Sequence, residues 1–408
     1  MKILWVCSSP IGPAAELLNI GYGGTSGGWI GAEFEKIKND GDEFAFLTMR
    51  RSVKRGGILK KSGSKGNVYC IHSPVQTYGI DAPGWMKENI HEVYRMFSPD
   101  IIQIWGTESV LSVTACAVAS EAKKIIFLQG IIGYYVRYKK RCVDDNAIRS
   151  LKYRAAESLK TRLYTKQAEM EKQALHMVNA VILDNDFSQA YCRSINSDLQ
   201  MIRYPLLPKP CFFSGGRTKE KTEPFSIFTV AGATPMKGLH MLLRAVFLIK
   251  NRFPGVRVYI PGSFNQNAGG YERFLYRLIS KYSLEKQVVF CGVLTAEEMA
   301  DYMRRCEIFV NPSCMEVHAL TLREAMAMGM PCVSTECGSV AEFIRHGENG
   351  LLYRYEEPEV CAYYIAEIFE NRSLRENLSR KAALVWTQQH NHTLTGIYRA
   401  LTEQKTRA

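Results

Sequence analysis

Asn311-Pro312-Ser313-Cys314-Met315-Glu316-Val317-His318-Ala319-Leu320-Thr321-Leu322-Arg323-Glu324-Ala325-Met326-Ala327-Met328-Gly329-Met330-Pro331 reads as the end of a strand, a turn and a short helix. Apolar residues 308–310 precede it, Pro312 and Ser313 turn the chain, a helix starts near Leu320, and Gly329 is the natural residue just past its end. This pattern puts Glu316 on the loop beyond the strand and Glu324 in the first turns of the helix. The backbone N–H groups of Val317, His318, Ala319, Leu320 and Thr321 then point from a helix N-terminus into the same space, which suits a phosphate. Two carboxylates beside an anion site repel phosphate unless they engage hydroxyls. Hydroxyls are what a sugar and a ribose present.

On either side of this block, short apolar runs alternate with amphipathic stretches. Strands are expected at 3–7, 43–48, 67–71, 101–105, 124–129 and 180–183, with helices at 29–39, 88–97, 110–121 and 148–179. The alternation breaks at Tyr204-Pro205-Leu206-Leu207-Pro208-Lys209-Pro210 and through Ser214-Gly215-Gly216 to Pro224, where prolines deny both helix and central strand. It resumes with strands at 225–231, 256–260, 288–291, 308–310 and 332–335. Helices there are expected at 239–253, 271–282, 296–304, from Leu320, at 358–369 and at 373–388. This is the α/β pattern of parallel sheets with helices on both faces. A chain of 408 residues also exceeds what one core holds. Two Rossmann-like doubly wound domains are expected, 1–205 and 206–385, facing a central cleft, with 386–408 a tail packing back on the first. No repeat of 20 to 50 residues suggests a solenoid.

Hydrophobic residues make up 46% and charged residues 23%, a globular balance that leaves little room for extended disorder. The apolar run after Lys2 is too short for a signal segment, and no long uncharged apolar stretch spans a membrane, so a cytoplasmic location is expected. Twelve scattered cysteines, with Cys332 and Cys337 the closest pair, suggest neither zinc nor a disulfide framework, only buried reduced thiols. Eight histidines do not cluster at metal spacing.

The net charge is +12. Arg50, Arg51, Lys54, Arg55, Lys60, Lys61 and Lys65 form one acid-free run. A second concentration holds Arg137, Lys139, Lys140 and Arg141, then Arg149, Lys152, Arg154, Lys160, Arg162 and Lys166. Each reads as a solvated face or as a contact for an anionic membrane. Two runs in one half, with Tyr134, Tyr135 and Tyr138 interleaved, favour the membrane.

The block from Asn311 resembles the C-terminal motif of retaining GT-B glycosyltransferases of family four (glycosyl transferases group 1). Two glutamates separated by seven residues, Glu316 and Glu324, are followed by Ala325-Met326-Ala327, Gly329, Pro331, Gly338 and Glu342, and the stretch His346-Gly347-Glu348-Asn349-Gly350-Leu351-Leu352 is also family-like. The resemblance is most specific over 305–352 and weaker before 200. It implies that Glu316 holds hydroxyls of the transferred sugar and Glu324 the nucleotide ribose. The second phosphate element of such proteins matches Ala231-Gly232-Ala233-Thr234-Pro235-Met236-Lys237-Gly238, where Lys237 neutralises the leaving diphosphate. The usual arginine five positions earlier is Gly232 here. His318 adjoins the Glu316 loop as a phosphate contact or a packed loop residue.

In the first half, Gly23-Gly24-Thr25-Ser26-Gly27-Gly28-Trp29 permits close backbone approach, with Gly28 a candidate contact to the diphosphate. It is not a dinucleotide fingerprint, since Thr48, Met49 and Arg50 stand where a ribose acid belongs. Trp105, Thr107, Glu108 and Gln129 end strands on the side expected to face the acceptor, although Glu108 also suits a helix cap. Many relatives have a histidine at the place of Gln129, and its absence here argues against a side-chain base there, although the amide can still hydrogen-bond a sugar hydroxyl.

The resemblance implies a retaining, metal-independent hexosyltransferase-like enzyme without cofactor. It would move sugar from a UDP-sugar, or a GDP-sugar, to a glycan or lipid-linked acceptor in cell-surface polysaccharide synthesis, such as lipopolysaccharide or capsule. A peripheral position on the inner face of an anionic membrane fits, and a nucleic-acid partner does not. The alternatives are a nucleotide-sugar epimerase of GT-B fold and a catalytically silent carbohydrate-binding relative.

Overall fold

A computed structural model describes residues 1–20, 28–142, 148, 151–213, 222–386 and 393–403. The chain divides into two compact units. The first comprises Met1–Val136, Leu159–Pro205 and His390–Ala408, and the second Arg137–Ser158 and Leu206–Gln389.

Eight strands build the sheet of the first unit: β1 (Lys2–Val6), β2 (Glu43–Arg50), β3 (Ile58–Gly63), β4 (Gly66–His72), β5 (Ile101–Trp105), β6 (Lys123–Phe127), β7 (Ala180–Leu183) and β8 (Gln200–Arg203). Their spatial order is β3-β4-β2-β1-β5-β6-β7-β8, parallel throughout except for β3. Helices on both faces explain why the central strands are apolar runs rather than alternating ones, as in the buried Ile3, Leu4, Trp5 and Val6 of β1. Trp5 anchors one face, edge-on to Phe34, Phe44, Phe46 and Trp105 at centroid distances of 4.8–6.2 Å.

The sheet of the second unit contains β9 (Glu223–Phe228), β10 (Arg257–Pro261), β11 (Val288–Gly292), β12 (Cys306–Asn311), β13 (Cys332–Thr335) and β14 (Leu351–Tyr353), all parallel, in the order β11-β10-β9-β12-β13-β14. That is the doubly wound Rossmann order. Neighbouring residues of one strand enter opposite layers, as a pleat requires. Ile227 and Ile308 join the core under helices Leu239–Ile249, Gly270–Lys281 and Pro358–Glu370. Phe228 and Phe309 join the core under helices Ala296–Arg305 and Leu320–Ala327.

Several expectations change. Residues 137–158, expected with the first domain, group with the second unit, where Ile148 enters the core and Tyr153 packs against Gly270. The basic run after Arg50 folds into the edge strand β3. There Lys61 Nζ donates to the Leu17 carbonyl at 2.8 Å and Lys65 pairs with Glu16 at 3.1 Å, so the run is not acid-free in space. Lysines on an edge strand also discourage pairing with another sheet. Cys142 and Cys314 form a disulfide within the second unit, which corrects the expectation of reduced thiols throughout. A separation of 172 residues carries no spacing signal. Helix Leu394–Glu403 closes the first unit, burying Tyr398 and bonding Thr395 to Asp40. Of the second basic concentration, residues 143–147 and 149–150 lie outside the described residues, as do the side chains of Lys140, Arg141 and Lys152.

Candidate nucleotide-sugar site

In the second sheet the direction of winding reverses between β9 and β12, and the carboxyl ends of strands at such a reversal are the usual ligand position of doubly wound sheets. The loop after β9 carries a 3-10 turn, Pro235–Lys237, and the loop after β12 carries Glu316. Lys237 Nζ donates to Glu316 Oε1 at 2.6 Å, with Lys237 the more exposed partner. These two side chains come from segments 79 residues apart in sequence.

Backbone packing holds that pair in place. Gly238 sits at φ +67°, and a Cβ there would overlap the Pro312 carbonyl; Cys314 N–H donates to the Met236 carbonyl at 2.8 Å. From the other side Gly338, at φ +54°, lies against the Glu316 carbonyl. Ser339 N–H donates to that carbonyl at 3.2 Å, and Ser339 Oγ to the Val317 carbonyl at 2.6 Å. Only glycine combines these left-handed backbones with such close approach. The motif glycine at 338 is therefore a packing requirement of the Glu316 loop.

Ala319, at φ +46°, caps helix Leu320–Ala327, whose first-turn N–H groups have no helical acceptor. Val317, His318 and Ala319 are buried, while Leu320 and Thr321 are half-buried. Burial pushes the Glu324 carboxyl up to about 7, with Lys209 opposing. Arg323, its neighbour, is buried between Phe343 and Trp386 and donates to the Leu206 carbonyl at 3.2 Å. A Cβ added at Gly232 would meet nothing within 4 Å.

In the first unit the corresponding reversal lies between β1 and β5. Trp105 is buried in the aromatic core, 4.9 Å from Phe127 and 5.4 Å from Trp29. Thr107 is buried too, its Oγ1 donating to Glu171 Oε2 at 2.5 Å. Both correct the expectation of residues facing an acceptor: inward strand pleat and a buried carboxylate partner turn them away from solvent. Glu108 and Gln129 remain half-buried. Burial, with the Glu171 charge adding to it, pushes the Glu108 carboxyl up to about 7 against N–H groups of its own residue, Gly130 and Thr107. Gly28 begins helix Gly28–Ile37, and the glycine-rich residues 21–27 before it lie outside the described residues.

Glu171 was invisible as a motif. It lies on the long helix Leu151–His176 and also accepts from Tyr191 OH at 2.6 Å, Ile132 N at 3.2 Å and Gly133 N at 3.3 Å. One turn away, Gln167 accepts from Gly79 N at 2.7 Å and donates to the Thr107 carbonyl at 2.5 Å. A carboxylate interrupting an amphipathic helix reads as surface until its partners are known. Among the described residues no group of three or more His, Cys, Asp or Glu is arranged to hold a metal ion, and no helix is long and apolar enough to cross a membrane.

Two doubly wound sheets of this kind define the GT-B class of glycosyltransferase fold. Residues 216–385, within the second unit, match the profile of the family described as glycosyl transferases group 1. The chain is 30% identical over 161 residues to a putative colanic acid biosynthesis glycosyltransferase, WcaL, of Salmonella typhimurium, and the aligned stretch is 38% of each chain. It therefore spans well under half the length of that relative. Sucrose-phosphate synthase from Thermosynechococcus elongatus has a similar fold, with a TM-score of 0.72 at 16% identity, covering 100% of this chain and 98% of that one. Anabaena Alr3699/HepE, solved in complex with UDP and glucose, gives 0.64 at 17% identity with both chains fully covered.

Proposed function

We propose that the protein is a retaining glycosyltransferase that takes a sugar from a nucleotide diphosphate-sugar, with UDP the favoured nucleotide. The observation that carries this reading is the Lys237–Glu316 pair at the reversal point of the second sheet, beside the N-terminus of helix Leu320–Ala327. Lys237 and the helix N–H groups would receive the diphosphate, Glu316 the sugar hydroxyls and Glu324 the ribose. In the free protein Glu316 holds the lysine; a bound diphosphate takes over that cation and frees the carboxylate for the sugar.

In the proposed step the bond between the anomeric carbon and the diphosphate oxygen breaks while the acceptor oxygen bonds to that carbon from the same face. The acceptor proton passes to the departing diphosphate oxygen. A fixed ammonium and helix N–H groups stabilise the growing negative charge, so the step needs neither metal nor cofactor. The relative named for colanic acid biosynthesis supports a glycan or lipid-linked acceptor in cell-surface polysaccharide synthesis, and the UDP complex supports the donor. Lys54, Arg55 and Lys60 lie near one another in sequence at the edge of the first unit and suit a peripheral position on an anionic cytoplasmic leaflet.

A panel of UDP- and GDP-sugars, incubated with the chain and candidate acceptors, tests the reading. Release of UDP with a new α- or β-linkage matching the donor's anomer is expected. Binding without release would identify a silent carbohydrate-binding relative, and isomerised donor without transfer an epimerase.

A further inference from the structure

The first unit holds a cavity of about 430 Å³ lined by Ser8, Ser9, Arg50, Arg51, Ser73 and Glu108, with Met49, Thr77 and Ser109 completing its wall. These residues end or follow β1, β2, β4 and β5, four strands adjacent in the sheet, so the cavity sits at the carboxyl ends on both sides of the β1/β5 reversal. Its size is that of a small-molecule pocket.

Two guanidinium groups border it with little to neutralise them. Arg50 donates to the Leu18 carbonyl at 3.5 Å and Arg51 to the Val75 carbonyl at 3.2 Å. Neither has a carboxylate within ion-pair distance among the described residues. Each guanidinium carries five N–H donors, so one carbonyl leaves most of the fork free. Ser109 caps helix Val110–Ala117 with Oγ accepting from Ser112 N–H at 3.2 Å, which adds the positive end of a helix dipole.

The frame around the cavity is built, not incidental. Buried Gln167 ties the Thr107 carbonyl to Gly79 N–H, and Val110 N–H donates to the Thr77 carbonyl at 2.6 Å, so the loops carrying Thr77 and Glu108 are cross-braced. Ser73 N–H donates to the Arg50 carbonyl at 3.0 Å, which fixes the start of the Arg50–Arg51 turn. Serine hydroxyls and forked cations lining one cavity match a sugar ring that bears an anion.

We propose that this cavity binds a monosaccharide unit carrying a carboxylate or a phosphate, with Arg50 and Arg51 gripping the anion and Ser8, Ser9, Ser73 and Glu108 reading ring hydroxyls. It deepens the acceptor half of the function proposed above: the acceptor is an anionic sugar. At neutral pH a Glu108 carboxyl raised to about 7 is partly protonated, so it repels the anion less and can donate to a hydroxyl.

Titration calorimetry on the full chain at fixed ionic strength tests the assignment, with saturating UDP present to occupy the second unit. D-Glucuronate and D-glucose 6-phosphate are the anionic probes, and D-glucose the neutral one. At least one anion should bind about tenfold or more tighter than glucose, the size expected of a charge-assisted contact. The R50Q/R51Q variant should lose that preference while its separate titration with UDP is unchanged and its thermal unfolding and near-UV circular dichroism match the parent, which reports that the first unit is folded. Preference for glucuronate identifies a carboxylate as the anion and preference for glucose 6-phosphate a phosphate. Equal affinities, no binding of either anion at millimolar concentration, an anion preference kept in R50Q/R51Q, or displacement of the anion by UDP would each overturn the proposal. Failure of UDP itself to bind would count against the nucleotide-sugar reading instead, and leaves the anion comparison readable.

Discussion

In the second unit the loops at the sheet's reversal are clamped by backbone: Gly238 against Pro312, Gly338 against Glu316, and Ala319 opening the helix. In the first unit the equivalent loops are braced by side chains of a remote helix, Glu171 and Gln167, which hold Thr107, Gly79, Ile132 and Gly133. That contrast is why one site is written in a compact motif and the other is not. Close backbone packing demands glycines at set positions, and those positions are countable in a sequence. A brace made of side chains can be assembled from any turn of the chain that arrives at the right place.

The largest expected effect tests the clamped site. Lys237→Ala should lower turnover roughly a hundredfold to a thousandfold while the donor dissociation constant moves much less, because a fixed cation acts most on charge that develops as the bond breaks. Steady-state kinetics alongside donor titration separates the two. Near-normal turnover in a folded variant would mean that Lys237 only pairs with Glu316 and that the chemistry lies elsewhere.

Against it stands the braced site, where the effect should appear in stability. Glu171→Ala leaves Thr107 and Tyr191 hydroxyls and two N–H groups without their acceptor, at a cost of about 3 kcal/mol from several lost buried hydrogen bonds. Denaturant unfolding should show this, with Glu171→Gln milder because the amide still accepts. If Glu171→Ala unfolds like the parent, the brace contributes nothing and the contrast between the units fails.

These two sites also explain what was legible. Strands β9 and β12 of the second unit are readable because Ile227, Phe228, Ile308 and Phe309 are buried on both faces of the sheet and fall in apolar runs, whereas β14, three residues long, is not. Edge strand β3 is not either, since Leu59, Lys60 and Ser62 are exposed and the stretch with Lys61 looks like a charged loop. Strand β8 is only Gln200–Arg203 and half-polar. Lys237, Glu316 and Glu324 could be singled out because their glycine and proline neighbours have geometric duties. Trp105 and Thr107 misled because a residue at or just past a strand's end points either outward or into the core; Trp105 ends β5 inside the aromatic core, and Thr107, beyond the strand, is drawn inward by Glu171. The grouping of 137–158 with the second unit rests on the buried Ile148 and on Tyr153 against Gly270, neither of which is a local pattern.

Glu324 offers a smaller and pH-dependent comparison. Its removal to alanine should weaken UDP by about 1.5–3 kcal/mol, the range for hydrogen bonds to a charged group. Because burial raises its carboxyl to about 7, the folded chain holds a proton there that the unfolded chain releases near 4.5. Ionising it therefore lowers stability as pH rises from about 4.5 to about 7. Ribose hydroxyls donating to the carboxylate offset that cost, so nucleotide-sugar affinity should strengthen as pH rises through 7. Titrations at several pH values should follow this trend in the parent and flatten in Glu324→Gln; a parent profile that is flat or inverted would remove Glu324 from the ribose contact.

The smallest effect is expected from adding what the family resemblance leads one to look for. Gly232 stands where such proteins have an arginine, its backbone is not in the left-handed region, and a Cβ there meets nothing within 4 Å. Gly232→Arg should therefore fold without strain. The new guanidinium would begin five residues before Lys237 in the same loop and add a second cation near the diphosphate. Since a partly exposed charge is screened, the gain in donor affinity should be modest, about 0.2–1 kcal/mol or a few-fold, and should shrink as salt is added. Donor titration at low and high ionic strength reads both. A Gly232→Arg variant with weaker binding in a folded chain would mean that the space at that point is already filled by the diphosphate. The loop would then have lost its arginine to make room for the ligand, and one cation, Lys237, would be the full complement of this turn.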